Sequence, residues 1–298
     1  MLVAQPPHAA HVEDKTMKIY KDQLVLITGG SSGIGLALAR QLTTAGAHVF
    51  ILSRDKKRLD SALEELKSLT VDTAQKLGTI RADITHQKAL EKTLNGWVEK
   101  NGTPDLLINS AGVAHPGYFQ ELNESIFEWT MQVNYFGTVY VTKVIVPYMI
   151  VRGSGYIVNI SSEAGFIGVF GYTAYGASKY AVRGFSDALR SEMKPLGINM
   201  SIVFPPDTDT PQLAYENQYK PYETKAIGGS TKTLSAEKVA AFILKKVLKN
   251  AYMIIPGFEG RLFYRVSSLL KRGTYIIMDK LVKSAQKKKF RDLKKNLD

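Results

Sequence analysis

Apolar residues recur along the chain in two alternating rhythms. Short unbroken runs such as Leu24-Val25-Leu26-Ile27 and Val49-Phe50-Ile51-Leu52 give way to longer stretches where apolar positions return every three or four residues. A short run with no polar alternate is a strand buried on both faces, and the longer spacing is one face of a helix. The pattern predicts strands over 24–28, 48–52, 79–82, 106–109, 156–161, 199–204 and 252–255, and helices over 34–45, 58–69, 127–149 and 174–193. Leu59, Leu63 and Leu66 share a face of the second helix, and Gly46 stands where the first should stop. Strand-helix alternation of this kind makes a single α/β domain, doubly wound, with about seven mainly parallel strands and helices on both faces.

The stretch 205–234 breaks the rhythm. It is rich in Pro, Thr, Tyr and Gly and too long for a connector, which marks it as a substrate loop or lid, or else as a surface insertion. The expected organisation is a flexible leader over 1–20, a catalytic domain over 21–258 and a basic helical extension over 259–298.

Charge changes the picture only at the end of the chain. The net charge is +12, but 261–298 holds twelve Lys/Arg against three Asp, so nine of those charges lie in the tail. The tail lacks the interleaved aromatics of a base-stacking surface, so no nucleic-acid partner is expected. Leu262, Val266, Leu269 and Leu270 form one apolar stripe flanked by Arg261, Arg265, Lys271 and Arg272; Ile277, Met278, Leu281, Val282 and Ala285 form another. Such stripes fit the surface of a membrane, and equally the surface of the domain or of a second subunit. A homo-oligomer, dimer or tetramer, is expected. No run of about 18 apolar residues predicts a membrane span, and the leader has no apolar signal core. The expected location is the cytoplasm, peripheral to a membrane if the tail binds one, which in a eukaryote would be the cytosolic face of the endoplasmic reticulum. There is no cysteine, and the five histidines show no metal-type spacing, so no metal is expected.

Directly after the first strand comes Thr28-Gly29-Gly30-Ser31-Ser32-Gly33-Ile34-Gly35, which opens a helix. Glycines let the backbone approach a pyrophosphate, and the free N–H groups of a helix start attract its oxygens. At the end of the second strand, about 20 residues on, an acid would hold a ribose hydroxyl. Here the chain reads Ser53-Arg54-Asp55-Lys56-Lys57-Arg58. Arg54 and Arg58 suit a 2′-phosphate and favour NADP(H). Asp55 keeps NAD open, and the cations also fit a solvated helix start.

Tyr175-Gly176-Ala177-Ser178-Lys179 places a phenol and an ammonium four residues apart, on one helix face. An adjacent cation is expected to lower the phenol pKa, as proton exchange near neutrality requires.

The glycine spacing resembles the T-G-x-x-x-G-x-G pattern of the short-chain dehydrogenases/reductases, and the resemblance covers about 23–257. It implies a Rossmann-type domain in which Gly29, Ser31, Ser32, Gly33, Ile34 and Gly35 hold the cofactor phosphates. Asp83 would contact the adenine, and Asn109, Ala111 and Gly112, matching N-x-A-G, would stabilise the sheet and line the cofactor. Ser162, thirteen residues before Tyr175, would hold a ketone oxygen beside the Tyr175 hydroxyl, with Ser161 as the neighbouring candidate. Lys179 would also bind the nicotinamide ribose, and Asn134 would complete a proton relay. Pro205, Thr208 and Thr210 fall at family positions near the nicotinamide end, although Pro206 replaces the usual glycine.

The block Pro205-Pro206-Asp207-Thr208-Asp209-Thr210-Pro211 and the run Phe170-Gly171-Tyr172-Thr173-Ala174-Tyr175 resemble the 3-ketodihydrosphingosine reductases. That branch implies a lipophilic ketone substrate, the 3-keto group of a sphingoid base, reduced with NADPH. A reductase of steroid, retinoid or acyl ketones, or an NADP-binding scaffold without turnover, remains open.

Overall fold

A computed structural model of the chain describes residues 17–228, 233–270 and 273–295. The sheet is built around β1 (Leu24–Thr28), whose residues are all buried. Successive side chains of a strand point to opposite faces, and β1 separates two cores on that basis. Val25 and Ile27 face α1 (Gly33–Thr44), α2 (Lys56–Ser68) and α9 (Ala236–Val247). Leu24 and Leu26 face α3 (Gln87–Asn101) and α5 (Gly137–Arg152), packing with Leu90, Leu94, Val141 and Ile145. Each fully buried Leu or Ile in these layers contributes roughly 1.5–3 kcal/mol.

The remaining strands are β2 (His48–Ser53), β3 (Leu77–Arg81), β4 (Leu106–Asn109), β5 (Gly155–Ile160), β6 (Ile198–Val203) and β9 (Met253–Ile254). Among the described residues they join β1 in one seven-stranded sheet, ordered β3-β2-β1-β4-β5-β6-β9, with every pair parallel. This is the expected Rossmann-type architecture. The strand order reverses between β1 and β4, and a doubly wound sheet has its crevice at the carboxyl ends of the strands flanking that point.

Three segments differ from the expected pattern. The helix over 127–149 is two helices, α4 (Glu124–Met131) and α5, joined by a π-helical segment at Gln132–Phe136. The stretch 205–234 contains α7 (Pro211–Tyr219), α8 (Tyr222–Gly228) and a short pair of strands, β7 (Thr208–Asp209) and β8 (Leu234–Ser235). Met17–Tyr20 is a 3-10 turn anchored by its last residue: Tyr20 is buried in the core and donates its hydroxyl to the Leu244 carbonyl at 2.8 Å, while Ile19 is exposed. A leader ending at residue 20 therefore ends too late, and its residues 1–16 lie outside the described residues.

The C-terminal extension forms α10 (Phe258–Leu270) and α11 (Gly273–Lys295), and Lys271 and Arg272 of the anticipated flank lie outside the described residues. One face of the pair is docked on the chain's own domain. Tyr264 meets Phe166 edge-on at 5.2 Å, Ala285 is buried, and Lys289 donates to the Tyr118 hydroxyl at 3.0 Å. Leu262, Leu269, Tyr275, Ile276 and Ile277 stay exposed. Among the described residues no helix is long and apolar enough to cross a membrane.

Candidate active site

Four strand ends converge at the crevice: Gly29 follows β1, Ser110 follows β4, Ser161 follows β5 and Phe204 follows β6. The turn leaves no room for a side chain at Gly29 or Gly35. Gly29 (φ +68°) and Gly33 (φ +54°) are left-handed, and a Cβ on Gly29 would stand 2.8 Å from Ala111 Cα. A Cβ on Gly35 would collide with the Gly29 carbonyl oxygen. Ser31, Ser32 and Ile34 lie half-buried on the same turn. Ser32 occupies the cap position of α1 without a side-chain cap, and no acid stands in the first turn. A backbone packed this closely, ending at an uncapped and acid-free helix start, is a cradle that fits a pyrophosphate.

The other wall of the cradle is the segment after β6. A Cβ on Gly33 would be 3.2 Å from Thr210 Cγ2, so Thr210 abuts the glycine turn. Thr210 Oγ1 accepts from Leu213 N at 3.2 Å and caps α7, while Thr208 donates its hydroxyl to the Pro206 carbonyl at 2.8 Å. Pro205 contributes its carbonyl oxygen to Glu163 N at 3.2 Å.

At the far end of β2, Arg54 and Asp83 stand together, 3.5 Å apart. Burial works against the Asp83 charge, yet hydrogen bonds from Thr85 N and Oγ1 and the Arg54 guanidinium hold its carboxyl below the ordinary value. Arg58 is exposed and 3.5 Å from Asp55, which caps α2 through Arg58 N. Asn109 is buried in the sheet, where Nδ2 donates to Asn159 Oδ1 at 2.9 Å and Thr142 Oγ1 at 3.1 Å. Its amide nitrogen is thus committed to β5 and α5, while its Oδ1 is buried without a hydrogen-bond partner among the described residues. Ala111 N donates to Thr28 Oγ1 at 3.2 Å.

Ser162, just after β5, meets Tyr175 and Lys179 of α6 (Thr173–Met193). Ser162 favours the ionised form of the Tyr175 hydroxyl, and Lys179 Nζ lies 5.6 Å from the Tyr175 ring centroid. The two serines are distinguished by their partners: Ser161 spends its hydroxyl on the Lys179 carbonyl at 3.1 Å. Lys179 Nζ donates to the Ile160 carbonyl at 3.0 Å, and burial pushes its pKa down to about 8 against the opposing charge of Glu216. Tyr175 moves opposite to the expectation. Burial, followed by the negative charge of Glu216, raises its pKa, and the polar side chains of Ser162 and Gln212 offset only part of that. The neighbouring cation is outweighed because the phenol is desolvated among carboxylates.

Asn134 sits in the π-helical segment, as side chains at functional sites often do. Its Oδ1 accepts from Val113 N at 2.8 Å, and its Nδ2 donates to the Val113 carbonyl and to Ser178 Oγ, each at 2.9 Å. A Cβ on Gly112 would fall 3.3 Å from Asn134 Oδ1 and 3.4 Å from Lys179 Nζ, so the two polar groups share the space above Gly112.

Several site residues carry no motif. Gln212 and Glu216 of α7 reach the Tyr175 hydroxyl region, with Gln212 Nε2 donating to Glu216 Oε1 at 2.8 Å and the Tyr172 hydroxyl donating to Glu216 Oε2 at 2.5 Å. His115 and Tyr215 are 2.7 Å apart between Nδ1 and the hydroxyl oxygen. Only their four-residue spacing on α7 could have linked Gln212 to Glu216 beforehand. Beyond the Tyr172 and Tyr175 rings, Val169 leads to an open groove of about 440 Å³ lined by Gly168, Val169, Phe170, Met278, Val282 and neighbouring polar residues.

Residues 23–220 match the short chain dehydrogenase family. The chain belongs to the short-chain dehydrogenase/reductase family and is an oxidoreductase. Within that family it is similar to proteins named 3-ketodihydrosphingosine reductase. The one from Dictyostelium discoideum is 41% identical over 268 residues, covering 85% of this chain and 80% of the relative. The one from Bos taurus is 38% identical over 246 residues, covering 82% and 73% respectively. A solved short-chain dehydrogenase from Sphingobium yanoikuyae, in complex with NADPH, has the same fold, with a TM-score of 0.72, 25% identity and coverage of 85% of this chain and 95% of its own.

Proposed function

We propose that this protein reduces a lipophilic ketone with NADPH, and that the ketone is the 3-keto group of a sphingoid base. The observation that carries the chemistry is the buried Tyr175, whose hydroxyl feels the Ser162 side chain and whose ring lies 5.6 Å from Lys179 Nζ. When bound, the nicotinamide cofactor supplies the hydride that reduces the carbonyl carbon. The glycine turn from Gly29 to Gly35 would hold the pyrophosphate, and Arg54 with Arg58 the 2′-phosphate.

Ser162 donates a hydrogen bond to the ketone oxygen and fixes it beside Tyr175, where negative charge develops. Tyr175, kept neutral by burial, gives its proton to that oxygen as the C–O double bond becomes a single bond. Lys179 stabilises the phenolate left behind, and its position over Gly112 with Asn134 places it to return a proton. The sphingoid reading is supported by the names of relatives matched over four-fifths of the chain. The groove beside Val169 offers an apolar path for a long chain.

Replacing Tyr175 by Phe is expected to lower turnover roughly 10²- to 10⁴-fold, the usual contribution of a general acid, with NADPH binding retained. Substantial residual turnover would remove Tyr175 from this role. Assay of NADPH oxidation with 3-ketodihydrosphingosine, steroid ketones and ketoacyl esters tests the substrate; a higher kcat/KM for either of the others would overturn the sphingoid reading.

A further inference from the structure

Glu216 takes no part in the proton transfer above, yet it lies within the same site. It is 6% exposed, and its hydrogen bonds come from uncharged groups, the Tyr172 hydroxyl and the Gln212 amide. Lys220, one helical turn on, acts on it through space but bonds to Asp207 at 2.8 Å. A buried carboxylate is costly unless a charged group completes it, and in keeping with this, burial raises the Glu216 pKa.

Its place relative to the reacting hydroxyl is specific. The Gln212 side chain donates to Glu216 Oε1 at 2.8 Å and favours the ionised form of the Tyr175 hydroxyl, so a single amide stands between proton donor and carboxylate. The Tyr172 ring, which holds the other Glu216 oxygen, lies 5.6 Å from the Tyr175 ring. A 3-keto sphingoid base carries its amine on the carbon next to the carbonyl. It therefore presents an oxygen and a cationic N–H donor only one bond further apart than the oxygen and nitrogen of an amide.

We propose that Glu216 is an ammonium subsite: its carboxylate takes the protonated amine beside the ketone, while Gln212 gives way and Tyr175 and Ser162 receive the ketone oxygen. This rests on the sphingoid reading and extends it by naming the residue that selects an amino ketone among lipophilic ketones. The shared chemistry of steroid or acyl ketones offers Glu216 no cation.

The test uses the full chain with NADPH and two ketones, 3-ketodihydrosphingosine and the same ketone without its 2-amino group. The wild-type protein is expected to favour the amine-bearing ketone in kcat/KM by roughly 10- to 100-fold, the worth of a hydrogen bond to a charged group. Glu216→Gln is expected to abolish that preference through KM, while its effect on the Tyr175 and Lys179 charges falls on kcat for both ketones alike. Glu216→Asp, which keeps a shortened carboxylate, should retain part of the preference, and NADPH binding by both variants shows that they fold. A wild-type protein that reduces 3-ketodihydrosphingosine without preferring the amine, or a Glu216→Gln variant that keeps the wild-type preference, overturns the subsite and leaves the sphingoid reading standing. Failure of the wild-type protein to reduce 3-ketodihydrosphingosine at all overturns both.

Discussion

Replacing Glu163 by Gln is expected to stabilise the protein above pH 7 and to change little in acid. Glu163 follows Ser162, and its Oε1 is buried with no hydrogen-bond partner among the described residues. A Cβ on Gly260 would collide with that oxygen, which shows how closely the start of α10 covers it. Burial first, then the charges of Asp207 and Glu259, push its pKa from 4.5 up to about 7. A tenfold change in a proton equilibrium is worth about 1.4 kcal/mol, so the ionised carboxylate costs the fold about 3 kcal/mol.

The direction with pH follows from where the proton sits. Between pH 4.5 and 7 the folded chain holds the Glu163 proton and the unfolded chain has lost it, so stability is full below pH 4.5 and falls until about pH 7. An amide has no proton to lose. The advantage of Glu163→Gln therefore grows across that window, from under about 1 kcal/mol at pH 5 to about 3 kcal/mol at pH 8.5. Urea denaturation of cofactor-free protein at those two pH values, at one protein concentration, measures it. An equal gain at both, or a loss at pH 8.5, would refute the assignment of Glu163 as a desolvated carboxylate without a partner.

Three other outcomes are expected. Arg54→Ala should raise the KM for NADPH roughly 10- to 100-fold while leaving that for NADH nearly unchanged, since only the former carries a phosphate for the guanidinium; equal effects on both would shift the choice of cofactor away from Arg54. With the Lys179 pKa lowered to about 8, the rate of ketone reduction should fall as pH rises through 8, and Lys179→Arg should move that limb upward because arginine stays charged; an unmoved limb would assign it to another group. If the open face of the tail meets a membrane surface, Tyr275→Ser with Ile276→Ser should weaken co-sedimentation with anionic vesicles while the docked face around Ala285 and Lys289 is kept, and unchanged sedimentation would remove that contact.

The central strands were legible because a parallel sheet buried on both faces leaves a run such as Leu24-Val25-Leu26-Ile27 with no other home. Helices α3 and α9 were less so. In α3, Leu90, Leu94, Trp97 and Val98 are separated by charged and polar residues, and a helix with only one buried stripe has low average apolarity. The break at Gln132–Phe136 left no trace in periodicity, because a single π turn shifts the apolar stripe without interrupting it. Ser162, Tyr175 and Lys179 could be read from spacing, since one strand end and one helix carry them. Glu216 could not: its orientation toward Tyr175 is set by how α7 lies across the crevice, and that same carboxylate helps reverse the direction in which the Tyr175 pKa moves.

The elements least visible in the sequence are also those that close the site together. Glu216 ties α7 to the Tyr172 hydroxyl, and Thr224 of α8 donates to the Phe170 carbonyl at 2.8 Å, fixing the loop that leads to Tyr172. Glu223 of α8 accepts from the Tyr118 hydroxyl at 2.7 Å and lies 3.6 Å from Lys289 of α11, while Tyr222 donates to Asp292 at 2.7 Å. The basic tail is therefore bonded to the wall of the substrate crevice. Since Met278 and Val282 of α11 face Val169 and Phe170 across the groove, an apolar chain lying along the tail would follow α11 inward toward Val169, which packs against the Tyr172 and Tyr175 rings. The helix that carries the exposed Tyr275 and Ile276 thus also shapes the approach to Tyr175, and a change on its docked face should be felt in KM for a long-chain ketone before it is felt in kcat.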